Sequence, residues 1–554
     1  MPRLVECVPN FSEGRNRAAI DAIAGAITAV PGVTLLDVDP GAATNRTVYT
    51  FVGAPEAVAD AAIGAARAAA TVIDMSKHRG EHPRIGALDV CPFVPVSGVT
   101  MDECVRLARE VGRRIGEELK IPIYFYEYAA TREERRSLAD IRAGEYEGLE
   151  RKLLDPAWTP DCGPAVFDRR LGATVVGARE FLIAYNVNLN TRDKRLAHEI
   201  ALRIREAGRL KRRPDGEVVV DAAGQQVKTP GRLKAVRAIG WYIDEYRQAQ
   251  VSINLLNYKV TPLHVVFETV VEEAASLGLR VTGSEVVGMV PLSPIVEAGR
   301  FYLRRQGKSS GAPEGELVDL AIRSLGLDQL APFDAGKKVV EYAVGRPAPL
   351  ATMSVRALAD EVSSSSPAPG GGSAAALIGA LAAALAAMVA NLSAGKRREH
   401  ADALSAMAER AQAIKRTLVE AIDEDTNAFN GLMQAMRLPR GTAGEQGARD
   451  AAIQEATRRA SLVPLETARA SLEAIELAGQ VGRLGIAEAA SDLGVAAAAG
   501  RAAVEGAVLN VLTNLGTIDD DRFVADTRLE AGRLIDAARR AADELTERVR
   551  GQFT

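Results

Sequence analysis

The chain has 554 residues, a length that corresponds to about three or four domains of ordinary size. Hydrophobic residues make up 47% of it and charged residues 25%, as in globular proteins, so the chain can build more than one core. The net charge is −4, from 68 basic and 72 acidic side chains. This near balance argues against a nucleic-acid partner and against binding to an anionic membrane.

Four cysteines lie scattered in the first third of the chain, at Cys7, Cys91, Cys104 and Cys162. Their spacing predicts neither a zinc site nor a disulfide framework. The N-terminal residues include an acid and a proline and form no apolar signal segment. The alanine-rich stretch 374–389 is about 16 residues long, which is shorter than a membrane span requires. We therefore expect a cytoplasmic protein without a membrane partner.

Residues 1–180 alternate strand-like and helix-like segments, which indicates an α/β or α+β layer structure. The predicted strands cover residues 4–9, 33–38, 46–52, 87–94 and 122–126. The predicted helices cover residues 18–29, 57–73 and 101–119.

A second unit of the same kind follows, from about residue 174 to residue 334. Its predicted strands cover residues 181–189, 235–241, 249–255 and 281–290. Its predicted helices cover residues 195–206 and 263–277. The charged stretch 211–230 contains two prolines and several turn signals, so we expect an exposed loop or hairpin insertion there.

The character of the sequence changes near residue 335. Residues 335–352 contain Pro347 and Pro349 and are predicted to be a linker. The remainder is alanine-rich, with Ser354 as the expected N-cap of its first helix. Helices are predicted at residues 354–364, 373–394, 397–436, 445–479, 483–514 and 520–550. Because small residues let helices approach closely but bury little area, we expect a compact bundle that oligomerises.

The fold class expected from these patterns is an α+β N-terminal half, made of two α/β-sandwich subdomains, followed by an all-α helical bundle domain. The expected boundaries are 1–176 and 177–334 for the two subdomains, 335–352 for the linker and 353–554 for the bundle.

Two of the five histidines lie in the segment KHRGEHPRIG at 77–86, which leads directly into a predicted strand. Loops at strand ends are where α/β folds place their chemistry. Pro83 restricts His82 to extended geometry, and the flanking cations favour a neutral, basic imidazole that suits general acid–base work. A solvated loop with bystander histidines is the alternative that composition alone leaves open.

Two earlier loops carry polar groups at strand ends. VPNFSEGR at 8–15 would present the amide of Asn10, and DVDPG at 37–41 would present carboxylates, among them Asp39, at a turn. Each loop could equally be an ordinary connection.

These motifs carry a resemblance to a known family. VPNFSEGR, DVDPGAATNRTVYTFVG at 37–53 and KHRGEHPRIGALDVCPFVPV at 77–96 resemble the glutamate formiminotransferase family, and the similarity covers roughly residues 1–330. GAREFLIAYNVNL at 177–189 and GWYIDEYRQAQVSINL at 240–255 continue it. The resemblance implies transfer of the formimino group of N-formimino-L-glutamate to N5 of tetrahydrofolate, with release of glutamate.

The resemblance also implies roles for particular residues. The family's catalytic acid/base falls on His82, and its folate-contacting stretch falls on residues 163–172. Asn10 and Asp39 are hypothesised to orient the amidine or His82. The full set of substrate-binding residues expected in this half is Asn10, Asp39, Arg84, Gly163, Pro164 and Gly172.

The helical half opens with SPAPGGGSAAA at 366–376. Two prolines stop the preceding helix, three glycines free the backbone, and Ser373 is expected to cap the long alanine helix. Exposed N–H groups at that helix start would attract an anion or the polar edge of a ligand. A glycine-rich hinge between helices is the alternative.

A pair of acids follows in AIDEDTNAF at 421–429. Asp423 and Asp425 diverge by about 200° on a helix, so at most one can share the buried face with Phe429, and i, i+4 spacing selects Asp425. Desolvation could keep that carboxyl protonated near neutrality. An acidic solvated face is the alternative.

SPAPGGGSAAA, AIDEDTNAF, AMRLPR, VPLETA, SDLGVAA and NVLTNL together resemble the formiminotetrahydrofolate cyclodeaminase family over roughly residues 354–545. Single-domain methenyltetrahydrofolate cyclohydrolases share this resemblance. It implies attack by N10 of 5-formiminotetrahydrofolate on the formimino carbon, with Asp425 donating a proton to the departing ammonia. Gly371, Ser373 and Arg440 are expected to bind substrate, in a site between helices of two subunits.

Together, the two halves resemble the bifunctional formiminotransferase-cyclodeaminase family of histidine degradation and one-carbon metabolism. That family implies a transferase and an ammonia lyase in one homo-oligomeric chain. It also implies tetrahydrofolate, in polyglutamylated form, as co-substrate, with no tightly bound cofactor or metal. Two alternatives stay open: a glutamate formyltransferase with methenyltetrahydrofolate cyclohydrolase activity, and a non-enzymatic folate-binding scaffold.

Overall fold

Strands occupy the first part of the chain and long helices the second, as the sequence predicts. The structure is a computed structural model that describes residues 3–42, 44–80, 83–221, 225–244, 246–345 and 349–552. The chain forms two units. Residues 1–295 with 325–345 form the α+β unit, and residues 296–324 with 346–554 form the helical unit.

The first sheet has seven strands, in the order β1-β4-β2-β5-β7-β6 with β3 paired to β4. Its strands are β1 (Leu4–Cys7), β2 (Asn10–Phe11), β3 (Val33–Gly41), β4 (Arg46–Gly53), β5 (Leu88–Ser97), β6 (Ile123–Glu127) and β7 (Thr174–Ala178). The pairing is antiparallel except where β7 lies parallel between β5 and β6.

Helices cover both faces of this sheet. The larger core lies under α1 (Arg17–Thr28), α2 (Pro55–Val72) and α3 (Met101–Leu119), which the sequence predicted. The opposite face carries a smaller core under α4 (Leu138–Arg142) and α5 (Glu145–Lys152), which it did not predict. This second cover buries Val90, Tyr124 and Val175 of the sheet.

The second sheet has four antiparallel strands in the order β11-β12-β8-β13. Its elements are β8 (Ile183–Leu189), α6 (Lys194–Ile204), β11 (Val236–Ile243), β12 (Gln248–Leu255), α7 (Leu263–Ser276) and β13 (Val281–Val287). The charged insertion forms an exposed hairpin with the short strands β9 (Arg209–Leu210) and β10 (Lys228–Thr229), as expected. The predicted linker contains two short helices, α10 (Ala335–Lys338) and α11 (Val340–Val344).

In the helical unit, every helix predicted after residue 353 is present, with ends that differ by a few residues. These helices are α12 (Val355–Val362), α13 (Gly371–Lys396), α14 (Ala401–Met436), α15 (Ala443–Leu484), α16 (Ala490–Leu515) and α17 (Asp521–Arg550). Ser354 caps α12 by accepting from the N–H of Ala357 at 3.2 Å, as predicted.

Residues 296–324, which the sequence placed in the second subdomain, belong to the helical unit. They include most of α8 (Leu292–Arg305) and α9 (Glu314–Leu325). Ser309 donates to Asn391 Oδ1 at 2.6 Å, and Gln412 donates to the Gly311 carbonyl at 3.0 Å. These polar contacts fix the segment to the long helices.

In the part of the chain that the structure describes, two helices are long and apolar enough to span a membrane: α13, with a mean hydropathy of 2.2, and Ala487–Leu515, with 1.4. The prediction that the alanine-rich stretch is too short was therefore wrong. Within the helical unit, 61% of the apolar window of α13 is buried. Its alanines pack against α14, α15 and α16, which accounts for its composition as a core helix.

Candidate active sites

The three sequence motifs of the first subdomain meet at one end of its sheet. The Ser12 hydroxyl donates to the Gly86 carbonyl at 2.7 Å. The N–H of Gly14 donates to Asn45 Oδ1 at 3.0 Å, and Asn45 Nδ2 donates in turn to the Arg79 carbonyl at 3.0 Å. Residues 77–86, called here the histidine loop, are thus tied to both earlier motifs.

His82, the predicted acid/base, lies outside the described residues, as does Glu81. Its neighbour Pro83 is exposed and lines a cleft of 860 Å³ in the α+β unit. The end of the histidine loop therefore borders a cavity of the size that small-molecule sites have.

The other histidine of the loop, His78, is buried, and both its ring nitrogens are occupied. Its Nε2 lies 2.8 Å from the Asn45 carbonyl, and its Nδ1 lies 3.2 Å from Arg84 Nε. Because a guanidinium only donates, Nδ1 must accept and Nε2–H must donate. Burial, assisted by the charge of Arg84, lowers the pKa of His78. His78 is therefore a neutral structural residue and not a solvated bystander.

Arg84, an expected substrate-binding residue, is paired within the protein. Its side chain is 7% exposed and forms ion pairs with Glu145 at 3.0 Å and with Glu147 at 2.7 Å. Its guanidinium also lies over the Tyr146 ring. Arg84 thus fastens α5 to the histidine loop, and substrate binding by Arg84 would need these pairs to break.

The predicted folate-contacting stretch, 163–172, lies directly beside the histidine loop. Gly172 bridges Gly86, and the N–H of Ala87 donates to the Leu171 carbonyl at 2.8 Å. Gly172 has φ +70°, and a Cβ there would lie 2.2 Å from the Ile85 carbonyl oxygen, so only glycine fits.

The stretch 163–172 contains two further expected folate contacts and a charged interior. Gly163 is exposed at the start of the stretch, and Pro164 is half-buried. Asp168 Oδ1 accepts from the N–H groups of Arg170 and Leu171, both at 2.8 Å. The charge of Asp168 therefore shapes the turn.

Asn10 and Asp39 lie in one cross-strand row. Both are paired opposite Val48 of β4, and Asn10 also lies opposite Val90 of β5. Directly opposed side chains share a face, and Val90 belongs to the core beneath α4 and α5. Asn10 is half-buried and donates to the Val8 carbonyl at 2.9 Å, whereas Asp39 is exposed.

A buried charge pair that sequence reasoning missed supports the loop and the cleft together. Asp89 is fully buried, accepts from the N–H of Ile85 at 2.8 Å and pairs with Arg142, which lines the cleft. Nearby, burial and then the charge of Arg142 lower the pKa of Arg46. The sequence signal that could have revealed this pair is Asp89 itself, a carboxylate within the otherwise apolar segment ALDV at 87–90.

A second missed group is Glu6, on β1. Its side chain is 4% exposed, and burial raises its pKa to about 7, with Arg179 acting in the opposite direction. A carboxyl group that titrates near neutrality beside a cleft residue is characteristic of functional regions.

The glycine-rich turn and the acid of α14 meet at the start of α13. The helix begins at Gly371, after Gly370, which supplies no side-chain cap. The prediction that Ser373 caps this helix was wrong, because Ser373 lies within its first turn. The Ser373 hydroxyl lies 2.8 Å from the Ile422 carbonyl and 3.1 Å from Asp425 Oδ2.

Asp425 is half-buried, and this burial raises its pKa, while hydrogen bonds from Ser373 act to lower it. A Cβ at position 372 would lie 2.1 Å from Asp425 Oδ1. Only Gly372 therefore lets the carboxyl reach the helix start.

Asp423 corrects the expectation that only one acid of the pair is buried. It is 7% exposed and accepts from the N–H groups of Leu350 at 3.0 Å and Ala351 at 3.1 Å. The two acids diverge as predicted, but α14 is covered on both sides. Asp423 therefore anchors the segment before α12, and Asp425 faces the glycine turn.

Of the two remaining residues expected in this half, Gly371 lies next to Gly372 at the helix start, whereas Arg440 lies elsewhere. Gly371 is exposed, and a Cβ there would be 3.3 Å from Asn510 Nδ2 on α16, a neighbour that sequence reasoning did not select. Arg440 is exposed in the turn after α14, and within the described ranges no hydrogen bond or ion pair joins it to Asp425.

Comparison with known proteins gives matches to both halves. Residues 4–179 match the family described as formiminotransferase domain, N-terminal subdomain, and residues 184–345 match the formiminotransferase domain. Residues 354–533 match the family described as formiminotransferase-cyclodeaminase.

Three relatives span different parts of the chain. Formimidoyltransferase-cyclodeaminase from Sus scrofa is 46% identical over 99% of this chain and 99% of its own length. Glutamate formimidoyltransferase from Streptococcus pyogenes serotype M1 is 42% identical over 55% of this chain and 94% of its own. Methenyltetrahydrofolate cyclohydrolase from Methylorubrum extorquens is 38% identical over 35% of this chain and 94% of its own.

Proposed function

This chain belongs to the formimidoyltransferase-cyclodeaminase family, and on that premise we propose which of its residues carry the two reactions. The first reaction transfers the formimino group from N-formimino-L-glutamate to tetrahydrofolate. The second cyclises 5-formiminotetrahydrofolate to 5,10-methenyltetrahydrofolate and releases ammonia.

In the transferase reaction, His82 is the proposed acid/base. Transfer passes through a tetrahedral carbon that bears three nitrogens, of which one must lose a proton and another must gain one. Two observations support this assignment: hydrogen bonds join the three motifs, and Pro83, which follows His82 in the chain, lines the cleft. His78 is already committed to Asn45 and Arg84, which leaves His82 as the available imidazole of the loop.

The proposed folate contacts are Gly163, Pro164 and Gly172, because their stretch lies against the histidine loop. Asn10 and Asp39 share a sheet face and are proposed to orient the amidine or His82.

The test of His82 is replacement by alanine. We expect His82→Ala to lower the kcat of transfer by about 10²–10⁴-fold without loss of folding. His198→Ala, which changes an exposed histidine on α6, is the matched control and should retain the rate. A near-normal rate in the His82 variant would refute the assignment.

In the cyclodeaminase reaction, Asp425 is the proposed proton donor to the departing ammonia. The hydrogen bond between the Ser373 hydroxyl and Asp425 Oδ2 supports this role, because it places the carboxyl at the glycine turn. Burial raises the pKa of the Asp425 carboxyl, which favours the protonated form that a proton donor needs. Gly371, Ser373 and Arg440 are the proposed substrate-binding residues of this site.

The test of Asp425 is replacement by asparagine. Asp425→Asn should abolish ammonia release from 5-formiminotetrahydrofolate and leave transferase activity intact. Measuring ammonia also separates this reaction from a formyl-donor and cyclohydrolase alternative, which releases none. Loss of both activities together would argue against separate sites.

The helical unit is further proposed to form a homodimer, with the lyase site between subunits. Exposed apolar residues recur at helical spacing on two neighbouring helices: Leu381, Met388 and Leu392 on α13, and Leu509 and Leu512 on α16. Contiguous apolar surface of this kind marks association sites. Sedimentation of the wild type beside a Leu381→Glu, Leu509→Glu variant tests the proposed dimer.

We also propose a cytoplasmic location, polyglutamylated folate as co-substrate and no tightly bound cofactor.

A further inference from the structure

The cleft of the α+β unit contains arginines that form no salt bridge with a described carboxylate. Three arginines line it: Arg142, Arg179 and Arg237. Arg142 is paired with Asp89. Arg179 donates to the backbone carbonyl of Glu180 at 3.0 Å, and Arg237 is exposed on β11. Within the described ranges, neither Arg179 nor Arg237 forms a salt bridge with a carboxylate.

Two of the acids that line the cleft are already committed. Glu145 pairs with Arg84 at 3.0 Å, and Glu180 pairs with Lys259 at 2.9 Å. Arg179, which follows β7, and Arg237, on β11, therefore form a pair of cations that these two acids do not neutralise. Such a pair is suited to a ligand with carboxylates, since guanidinium groups bind carboxylates through paired N–H donors.

Glu127 lies with these arginines at the end of β6. It lines the cleft and has φ +53°, a conformation that is uncommon for a residue with a side chain and that concentrates at functional sites. Its raised pKa reflects removal of water, which Arg179, Arg136 and Arg237 oppose. Both cleft arginines are therefore within electrostatic reach of this carboxyl.

The charges of the donor substrate match this arrangement. N-formimino-L-glutamate carries two carboxylates and an amidine, which is cationic near neutral pH. Building on the proposed function, we propose that Arg179 and Arg237 bind the carboxylates of a glutamyl group, and that Glu127 accepts from the donor's amidinium N–H. Pro83 lines the same cleft, so an amidine held there is near the end of the histidine loop.

A glutamyl group also ends the folate molecule, so the two arginines suit the carboxylates of either substrate. Glu127 favours the donor, because the glutamyl tail of folate carries no cation. Kinetics can separate the two sources, since each substrate has its own KM.

The experiment measures transferase kinetics of the full-length Arg237→Gln, Arg179→Gln and Glu127→Gln variants. Formiminoglutamate is varied at saturating tetrahydrofolate, and then tetrahydrofolate with one or five glutamates is varied at saturating donor. Loss of a charge-assisted contact should raise the donor KM by about 10- to 100-fold with a smaller change in kcat. A rise confined to the folate KM would assign the same arginines to the folate tail.

Arg136→Gln is the matched control, because Arg136 affects Glu127 electrostatically but does not line the cleft. An equal rise of KM in this control would overturn direct binding. Arg179 lies near buried Glu6, so its variant could fail to fold, but Arg237 is exposed and keeps the test decisive.

A neutral analogue sharpens the assignment. Wild-type enzyme should prefer N-formiminoglutamate over N-formiminoglutamine, and at least one arginine variant should reduce this preference at least 10-fold. Such non-additivity shows that the arginine and the side-chain carboxylate interact. Unchanged KM values and preference in active variants would overturn the inference, whereas a wild type without transfer would instead overturn the proposed function.

Discussion

Replacing Glu6 by glutamine tests how much the burial of this carboxyl in the first sheet changes the free energy of unfolding. Burial raises the pKa of Glu6 from 4.5 to about 7. Since the folded state therefore binds its proton more tightly than the unfolded state, Glu6 contributes most to stability at pH below about 4.5, and this contribution is lost as the pH rises through 7. Glutamine, which resembles the protonated acid, removes that loss.

The magnitude follows from the shift. At about 1.4 kcal/mol per pKa unit, a rise from 4.5 to about 7 corresponds to roughly 3 kcal/mol at pH 8 and to less than about 1 kcal/mol at pH 5. Glu6→Gln should thus stabilise the α+β unit at pH 8 by up to about 3 kcal/mol and by much less at pH 5.

Urea unfolding followed by tryptophan fluorescence is the assay, because the only two tryptophans, Trp158 and Trp241, lie in the α+β unit. Glu150→Gln, on the exposed side of α5, is the matched control and should change stability little at either pH. A Glu6→Gln gain that is equal at pH 5 and pH 8, or absent, would refute the reasoning.

Two other substitutions test contacts at the sites. Gly372→Ala should lower cyclodeaminase turnover by about 10²-fold or more while transfer persists, because the new Cβ would lie 2.1 Å from Asp425 Oδ1; unchanged ammonia release would contradict this geometry. Asp89→Asn should destabilise the α+β unit by about 3–5 kcal/mol, since it leaves the Arg142 charge without its buried carboxylate partner. Fluorescence-monitored unfolding measures that cost, and a change below about 1 kcal/mol would show that water already screens Arg142.

The long elements of this chain could be predicted because their patterns extend over many residues. The helices after residue 353 have the composition and length that favour helix. By contrast, α4 and α5 have five and eight residues, too few for a helical period to be evident. The turn predicted at 37–41 was wrong, because pairing with β4 continues β3 to Gly41, and Asn10 lies in β2 and not in a loop.

Individual polar groups were harder to place, for a related reason. Glu6 alternates with Val5 and Cys7, a pattern typical of a strand with one solvated face, but its side chain is buried within electrostatic reach of Arg179, a residue far away in the sequence. Asp423 is buried because a distant segment supplies N–H donors to it. Period and composition along a single element do not reveal what a distant segment places against it.

The most direct test of two separate proton-handling sites combines the His82→Ala and Asp425→Asn variants and follows the absorbance of methenyltetrahydrofolate after addition of formiminoglutamate and tetrahydrofolate. Each variant alone should form little of this product, and the mixture should form it, because one protein supplies the transferase and the other the cyclodeaminase. A mixture as inactive as either variant alone, with both proteins folded, would contradict the account.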